Sequence, residues 1–163
     1  TYQGLILLQA GGGLLSFAVF VYSGFVKTIE LQNDSEYMWS SAASKDQEMV
    51  AFGGRRLALL SYDGTQADAD KVTLEYEASV DSMIRHMEFI EYQNSKYLIC
   101  AFSNGSISIY NVDDIKNPVH VKNHSISVFD GEGYDLKYIE SDELILVAGT
   151  KGKFAILRIA GLL

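Results

Sequence analysis

The stretch YLICAFSNGSISIYNV, residues 97–112, decides the fold of this chain. Its first six residues form a continuous apolar run, which is typical of a strand buried on both faces. The residues SNGS, 103–106, indicate a hairpin turn, because Asn and Gly adopt the positive φ angles that tight turns require. Residues 106–112 then alternate polar and apolar side chains, as a strand does. The stretch therefore predicts two antiparallel strands joined by a turn.

The same pattern recurs along the chain. At an offset of 50, residues 51–59 (AFGGRRLAL) align with residues 101–109 (AFSNGSISI), and the apolar positions coincide. At an offset of 47, the residues that coincide with Ala101, Gly105, Ile107 and Ile109 are Ala148, Gly152, Phe154 and Ile156. At an offset of 42, Gly11-Gly12 coincide with Gly53-Gly54. One unit therefore occurs four times, with a hairpin turn expected in each, at intervals close to the ~40–50 residues of a propeller blade.

Further strands are predicted from the same register. They cover residues 5–9, 37–43, 84–91, 119–128, 134–140 and 153–159, and a loop is predicted over 113–118. No window predicts a long amphipathic helix, and residues 79–91 fit a loop and a strand better. The predicted units, about 1–36, 37–83, 84–133 and 134–163, then hold three strands, four, four and three.

The first 26 residues carry no charged side chain. An uncharged apolar run of this length is a candidate for a transmembrane helix. Gln9 and the three glycines Gly11–Gly13 lie at its centre, however, and each glycine weakens a helix by roughly 1 kcal/mol. Two buried strands joined by a glycine turn explain the run better, so we expect no membrane segment here.

Composition limits the function classes. The chain has 163 residues, 48% of them apolar, which is enough for a core. Its net charge of −8 argues against nucleic acid as the main ligand, because phosphate binding needs a basic surface. The single cysteine excludes an internal disulfide framework and favours a reducing intracellular compartment, cytoplasm or nucleus. Three Asn-x-Ser sequons, at Asn33, Asn104 and Asn123, leave an extracellular location open.

Catalytic signals are weak. The sequence has no nucleophile-elbow, phosphate-loop or His-Glu-x-x-His motif. His120 and His124 are four residues apart, but no third ligand accompanies them, so we predict no metal site and no cofactor. Gly11–Gly13 fit a hairpin turn better than a phosphate cradle. Cys100 lies inside an apolar strand and is predicted to be a core residue.

Residues 84–112, from Ile84-Arg85-His86 to Tyr110-Asn111-Val112, resemble one blade of a WD-repeat β-propeller. Tyr110-Asn111 stands where that family usually has Trp-Asp, and no Gly-His or Trp-Asp dipeptide occurs in the chain. Residues 111–119 (NVDDIKNPV) resemble the turn of LVIVD-type repeats, which are also propeller blades, and this second resemblance occurs once.

The WD-repeat resemblance implies an all-β propeller of four-stranded antiparallel blades. About three and a half blades are present, and they resemble the C-terminal half of a ring. The missing blades would come from another part of the same protein, from a partner chain or from self-association. The implied function is a non-catalytic scaffold for protein–protein interactions in a multisubunit complex, and we do not expect an enzyme.

Candidate partner-binding residues are those that dominate interface energetics. Tyr37, Trp39 and Arg85 are aromatic or arginine anchors, and the turns on the same predicted rim carry Arg55, Arg56, Lys151 and Lys153. One alternative is a propeller enzyme whose central channel would present Arg85, His86, Glu88 and Lys137. Another is a secreted or membrane-anchored LVIVD-like binding protein.

Overall fold

A computed structural model describes residues 6–9, 16–21, 24–30, 38–66, 71–121, 126–127 and 132–163. Within these ranges the chain is all-β, with three short 3-10 helices and no α-helix. The strands are β1 (Ile6–Gln9), β2 (Ser16–Val21), β3 (Gly24–Glu30), β4 (Met38–Ala43), β5 (Met49–Gly54), β6 (Arg56–Tyr62), β7 (Val72–Ser79), β8 (Ile84–Tyr92), β9 (Ser95–Phe102), β10 (Ser106–Asn111), β11 (Val119–His120), β12 (Ile126–Ser127), β13 (Gly133–Ile139), β14 (Leu144–Gly149) and β15 (Phe154–Arg158).

The strands form four antiparallel sheets that follow one another along the chain. Sheet 1 is β1-β2-β3, sheet 2 is β4-β5-β6-β7, and sheet 4 is β13-β14-β15. Sheet 3 is β8-β9-β10, and β11 and β12 pair with opposite ends of β10 along one edge. These two short strands confirm the outer strand predicted over 119–128 at residues 119–120 and 126–127. Every sheet is a meander in which consecutive strands are hydrogen-bonded neighbours, except that β12 pairs with β10 and not with β11.

The uncharged opening run forms strands wherever the structure describes it. β1 and β2 are antiparallel, with Ile6 opposite Phe20 and Gln9 opposite Phe17. The strand interpretation is thus confirmed for residues 6–9 and 16–21, and the transmembrane-helix alternative is wrong there. Gly11–Gly13 lie outside the described residues. Throughout the described ranges, none of the helices has the length and apolar character that crossing a bilayer requires.

The central strand β9 is buried on both faces, as its continuous apolar run predicts. On one face Leu98, Cys100 and Phe102 belong to a core cluster with residues of β5, β6 and β8, namely Met49, Ala51, Leu57, Leu59, Ile84 and Met87. On the other face Ile99 and Ala101 belong to a second cluster. Strand β9 therefore separates two hydrophobic cores, one towards sheet 2 and one towards sheet 4.

The second core joins sheets 3 and 4. It contains Ile99, Ala101, Ile107 and Ile109 from sheet 3 and, from sheet 4 and the residues that follow it, Leu136, Ile145, Val147, Ile159 and Leu162. Each aliphatic side chain buried in this way contributes about 1.5–3 kcal/mol to folding. Sheets 2, 3 and 4 are consequently stacked by apolar faces, with sheet 3 covering sheet 2 and sheet 4 covering sheet 3.

The first described strands of the four sheets are neighbours in chain order. β1 contacts β4, β4 contacts β8, and β8 contacts β13. β8 also packs on β5, and β13 packs on β9, so the first strands of sheets 3 and 4 each contact the first two strands of the sheet before them. The later strands of each sheet therefore lie progressively farther from this row of first strands.

The repeat alignment predicts hairpin turns at residues 103–106 and at Gly53-Gly54, and the structure matches the first prediction more fully than the second. At SNGS the turn is confirmed, because Gly105 has a φ of 79° and Asn104 Oδ1 accepts a hydrogen bond from Ser106 N at 3.0 Å. The turn predicted at Gly53-Gly54 is also present, but it follows the pair of Gly53 with Leu57, so Gly53 itself lies in strand β5. A Cβ atom on Gly53 would lie 2.7 Å from Ile84 Cγ2, so this glycine serves the close approach of sheets 2 and 3.

Candidate interaction surface

A β-bulge recurs near the start of the first strand of sheets 2, 3 and 4. In each sheet the register between the first and second strands shifts at one position, and the residues inserted there are Trp39, Arg85 and Tyr134. A bulge inserts one extra residue into a strand and interrupts the regular pairing of the two strands there. We call these three positions the bulge row. Because β4, β8 and β13 are neighbours, the bulge row crosses three sheets.

Two members of the bulge row are in direct contact. The guanidinium carbon of Arg85 lies 4.8 Å from the centroid of the Trp39 ring, which is a cation–π arrangement. Arg85 Nη2 also lies 3.4 Å from Glu132 Oε2, on the segment that leads into β13. Arg85 is mostly covered, whereas Trp39 is 52% exposed. The structure thus holds an exposed indole against a guanidinium that also pairs with Glu132.

The hairpin turns at this end of the sheets are fastened to the segments that precede the first strands. Val80 N donates to Arg55 O at 3.1 Å, and Ser103 N donates to Met83 O at 2.8 Å. In sheet 4, Thr150 N donates to the backbone carbonyl of Glu132, and the side chain of Glu132 forms the ion pair with Arg85. These bonds make the end that carries the bulge row a backbone-braced surface.

The predicted partner-binding residues are only partly brought together. Trp39 and Arg85 are in contact, and Tyr37 lies outside the described residues. Arg55 is exposed at the β5–β6 turn, and Lys151 and Lys153 are exposed at the β14–β15 turn. These three cations are therefore open to solvent at the turns of sheets 2 and 4.

Arg56 has a different position from the other predicted cations. Its Nε forms an ion pair with Glu77, and its Nη1 donates to Ser79 Oγ at 3.0 Å. Both partners are on β7, and both members of the ion pair are largely covered. Arg56 thus ties β6 to β7 and presents little of its guanidinium to a partner.

The charged residues suggested for a central channel are used to join β8 to β13. His86 Nδ1 lies 3.2 Å from Asp135 Oδ1. Glu88 accepts a hydrogen bond from Tyr138 N at 2.7 Å and pairs with Lys137 Nζ. In the part of the chain that the structure describes, no three His, Cys, Asp or Glu side chains are grouped so that they could hold a metal ion. All four residues suggested for the channel, Arg85, His86, Glu88 and Lys137, therefore form ion pairs or close polar contacts between sheet 3 and sheet 4 or the segment that leads into sheet 4.

The other singled-out residues have local surroundings. Cys100 is a free, fully buried thiol, and burial raises its pKa, so it stays protonated. This confirms its assignment to the core. His120 stacks at a tilt on Tyr110, with ring centroids 5.1 Å apart, and His124 lies outside the described residues.

Sequence reasoning did not single out Tyr134. The signal that could have indicated Tyr134 is its spacing. Trp39 and Arg85 are 46 residues apart, and Arg85 and Tyr134 are 49 apart, which is close to the repeat intervals. Spacing alone does not reveal a bulge, since a bulge is defined by the pairing register of two strands.

Neither a scan against models of protein families nor a search of curated proteins finds a match to this chain.

Proposed function

We propose that this chain is part of a β-propeller similar to those of WD-repeat proteins. The succession of antiparallel meanders supports this proposal, because in a propeller consecutive sheets stack face to face around a common axis. The contacts of β4 with β1 and β8, and of β8 with β13, are those expected of innermost strands. Further blades would come from another part of the same protein, from a partner chain or from self-association.

The function that this arrangement supports best is a non-catalytic scaffold that binds other proteins through the bulge row. The observation that carries the proposal is the contact between the half-exposed Trp39 and the anchored Arg85. Tryptophan and arginine are the residue types most enriched at interface hot spots. An anchored pair loses little side-chain freedom on binding, so more of its contact energy contributes to affinity.

The surroundings of the bulge row indicate the chemistry of the partner. The exposed indole favours an aromatic or aliphatic side chain, and the exposed cations Arg55, Lys151 and Lys153 favour carboxylates around it. The net charge of −8 disfavours a nucleic acid. We therefore expect a protein segment with an apolar anchor and acidic neighbours, in an intracellular compartment.

The test uses Trp39 as both the site and the probe. We expect affinity capture with the intact chain to enrich specific proteins that the Trp39→Ala variant fails to capture. Val119→Ala is the matched control, because Val119 is 62% exposed on β11 and lies outside the bulge row. Since Trp39 is the only tryptophan, its fluorescence should change when a purified captured protein is added. Partners that Trp39→Ala and Val119→Ala capture equally would contradict the proposal.

A further inference from the structure

Sheets 3 and 4 carry the same sequence unit but differ in exposure. At the offset of 47, Ile99, Ile107 and Ile109 of sheet 3 correspond to Leu146, Phe154 and Ile156 of sheet 4. The three residues of sheet 3 are 0–1% exposed, whereas those of sheet 4 are 38%, 75% and 58% exposed. The sequence unit therefore supplies an apolar face that is covered in sheet 3 and open in sheet 4.

This open face, which we call the sheet 4 face, has a definite shape. A shallow depression of about 380 Å³ lies over it, lined by the exposed apolar residues Leu146, Ala148, Phe154 and Ile156 and, along β13, by the exposed charged residues Asp135 and Lys137. Scattered exposed apolar residues are normal on a protein surface, but a contiguous apolar patch marks an interaction site. Three of its members, Leu146, Phe154 and Ile156, are among the large apolar side chains that are exposed in the described residues.

Opposite charges flank the two ends of the sheet 4 face. Lys151 and Lys153 are exposed at the β14–β15 turn. The β13–β14 connection, at the other end, carries the exposed acids Glu140, Asp142 and Glu143. At that acidic end Arg158 Nη1 donates to the backbone carbonyl of Asp142 at 3.5 Å, and Glu140 pairs loosely with Lys45. The face is thus an apolar stripe between a basic end and a predominantly acidic end.

We propose that a second copy of this chain covers the sheet 4 face. The two copies pack sheet 4 against sheet 4 about a two-fold axis that lies in the interface and runs across the strands. This axis reverses the ends of one sheet over the other, so that each basic end meets an acidic end. A two-fold axis along the strands would place like charges together. Self-complementary contacts of this kind are typical of homodimers.

The size of the face sets the expected affinity. Three strands spaced about 4.8 Å apart and five to six residues long cover an area on the order of 300 Å². Stable interfaces bury about 800 Å² per partner, so this dimer is weak and forms at tens of micromolar or above. The inference selects self-association among the ways in which a propeller sheet can be covered, and it does not rest on binding through the bulge row, which is formed by different residues.

The experiment is sedimentation equilibrium of the intact chain from about 5 to about 500 µM, the range in which an interface of this size is expected to form. We expect the average mass to rise with concentration from 18.0 kDa towards twice that value. The double variant Phe154→Ser/Ile156→Thr should remain monomeric over the whole range. Val119→Thr, which removes an equally exposed apolar side chain from β11, should dimerise like the unmodified chain.

Charge variants test the orientation of the two copies. Lys151→Glu/Lys153→Glu should weaken the dimer at least threefold at low salt, and adding Glu143→Lys should recover part of the loss. A circular dichroism spectrum with the β-sheet signal of the unmodified chain establishes that each variant folds. Where a variant fails to fold, slower amide exchange in β15 of the unmodified chain at high concentration gives the same test.

Three results would overturn the inference. They are a monomer at every concentration, a dimer that persists in Phe154→Ser/Ile156→Thr, and exchange in β15 that does not depend on concentration. The proposed function is tested by Trp39→Ala, which leaves the sheet 4 face intact, so failure of one proposal is distinguishable from failure of the other.

Discussion

Sheets 3 and 4 differ in how many of their faces are covered. In sheet 3, strand β9 contributes Leu98, Cys100 and Phe102 to one core and Ile99 and Ala101 to another. In sheet 4, Ile145 and Val147 of β14 are buried against sheet 3, whereas Leu146 and Ala148 on the opposite face are exposed. This difference shows that the repeat unit specifies two apolar faces, and that the second face is buried only where a neighbouring sheet covers it.

The largest expected effect on stability comes from an isoleucine that occupies the same repeat position in sheets 3 and 4. Ile109 is fully buried in β10, and Ile156 is 58% exposed in β15. Ile109→Ala should lower the free energy of unfolding by about 2–5 kcal/mol, because it removes buried methyl groups and leaves a cavity. Ile156→Ala should lower it by less than about 1 kcal/mol. Urea denaturation at low protein concentration measures both, and equal losses would break the comparison.

The next effect concerns the face of sheet 3 that sheet 2 covers. A Cβ atom on Gly53 would lie 2.7 Å from Ile84 Cγ2 and 2.9 Å from Met87 Sδ, both on β8. Gly53→Ala should therefore destabilise the chain by about 1–3 kcal/mol, since the Ile84 and Met87 side chains must shift in a packed core.

Gly161→Ala is the matched control for this substitution, because nothing lies within 4 Å of a Cβ atom at that position. Its thermal unfolding midpoint should equal that of the unmodified chain. A Gly53→Ala variant as stable as the control would show that the two sheets are not packed as closely as the structure indicates.

A smaller effect comes from the polar tie between sheets 2 and 3. Partial burial of the Asp46 carboxylate raises its pKa, but hydrogen bonds from Lys96 Nζ, Ser44 Oγ and the backbone N–H of Glu48 outweigh this and lower the pKa from 3.8 to about 2. A carboxylate with a lowered pKa in the folded state adds stability above pH 4. That stability is lost as the pH falls from about 4 to about 2.

Asp46→Asn should therefore cost about 1 kcal/mol at neutral pH, after allowance for solvent screening, and flatten the decline in stability between pH 4 and pH 2. The control is Glu140→Gln, because the pair of Glu140 with Lys45 is exposed on both sides and should contribute less than about 0.5 kcal/mol. Chemical denaturation across this pH range measures the difference. If the stability of Asp46→Asn depends on pH as that of the unmodified chain does, the contact of Asp46 with Lys96 does not stabilise the fold.

The last comparison has the smallest expected effect on stability. It measures the burial of the two sheets directly, by the reactivity of a thiol in each. The buried Cys100 thiol of sheet 3 has a raised pKa and should not react with a disulfide reagent until the chain is unfolded. A cysteine introduced by Ile156→Cys in sheet 4 should react at once at low micromolar concentration, where the chain is monomeric. Equal reaction rates of the two thiols would contradict the difference between the sheets.

Much of the strand pattern was predictable because strand signals are local. The period-two alternation of residues 106–112 and the SNGS turn predicted β10 and the turn before it, and the structure confirms both. Gly53 was assigned wrongly, because a glycine that permits close packing and a glycine that permits a turn are identical in sequence. Of the candidate site, Trp39 and Arg85 were recognisable by residue type, but their contact was not.

The sequence by itself determined the all-β class and the succession of similar units, because side-chain alternation, turn residues and repeat spacing are properties of neighbouring positions. Only the tertiary structure decided which apolar faces are buried and which residues occupy bulges. The exposure of Phe154 depends on whether a sheet lies opposite it, and the insertion of Trp39 and Arg85 depends on the register between two strands. Both are relations between segments distant in the chain, so no local pattern encodes them.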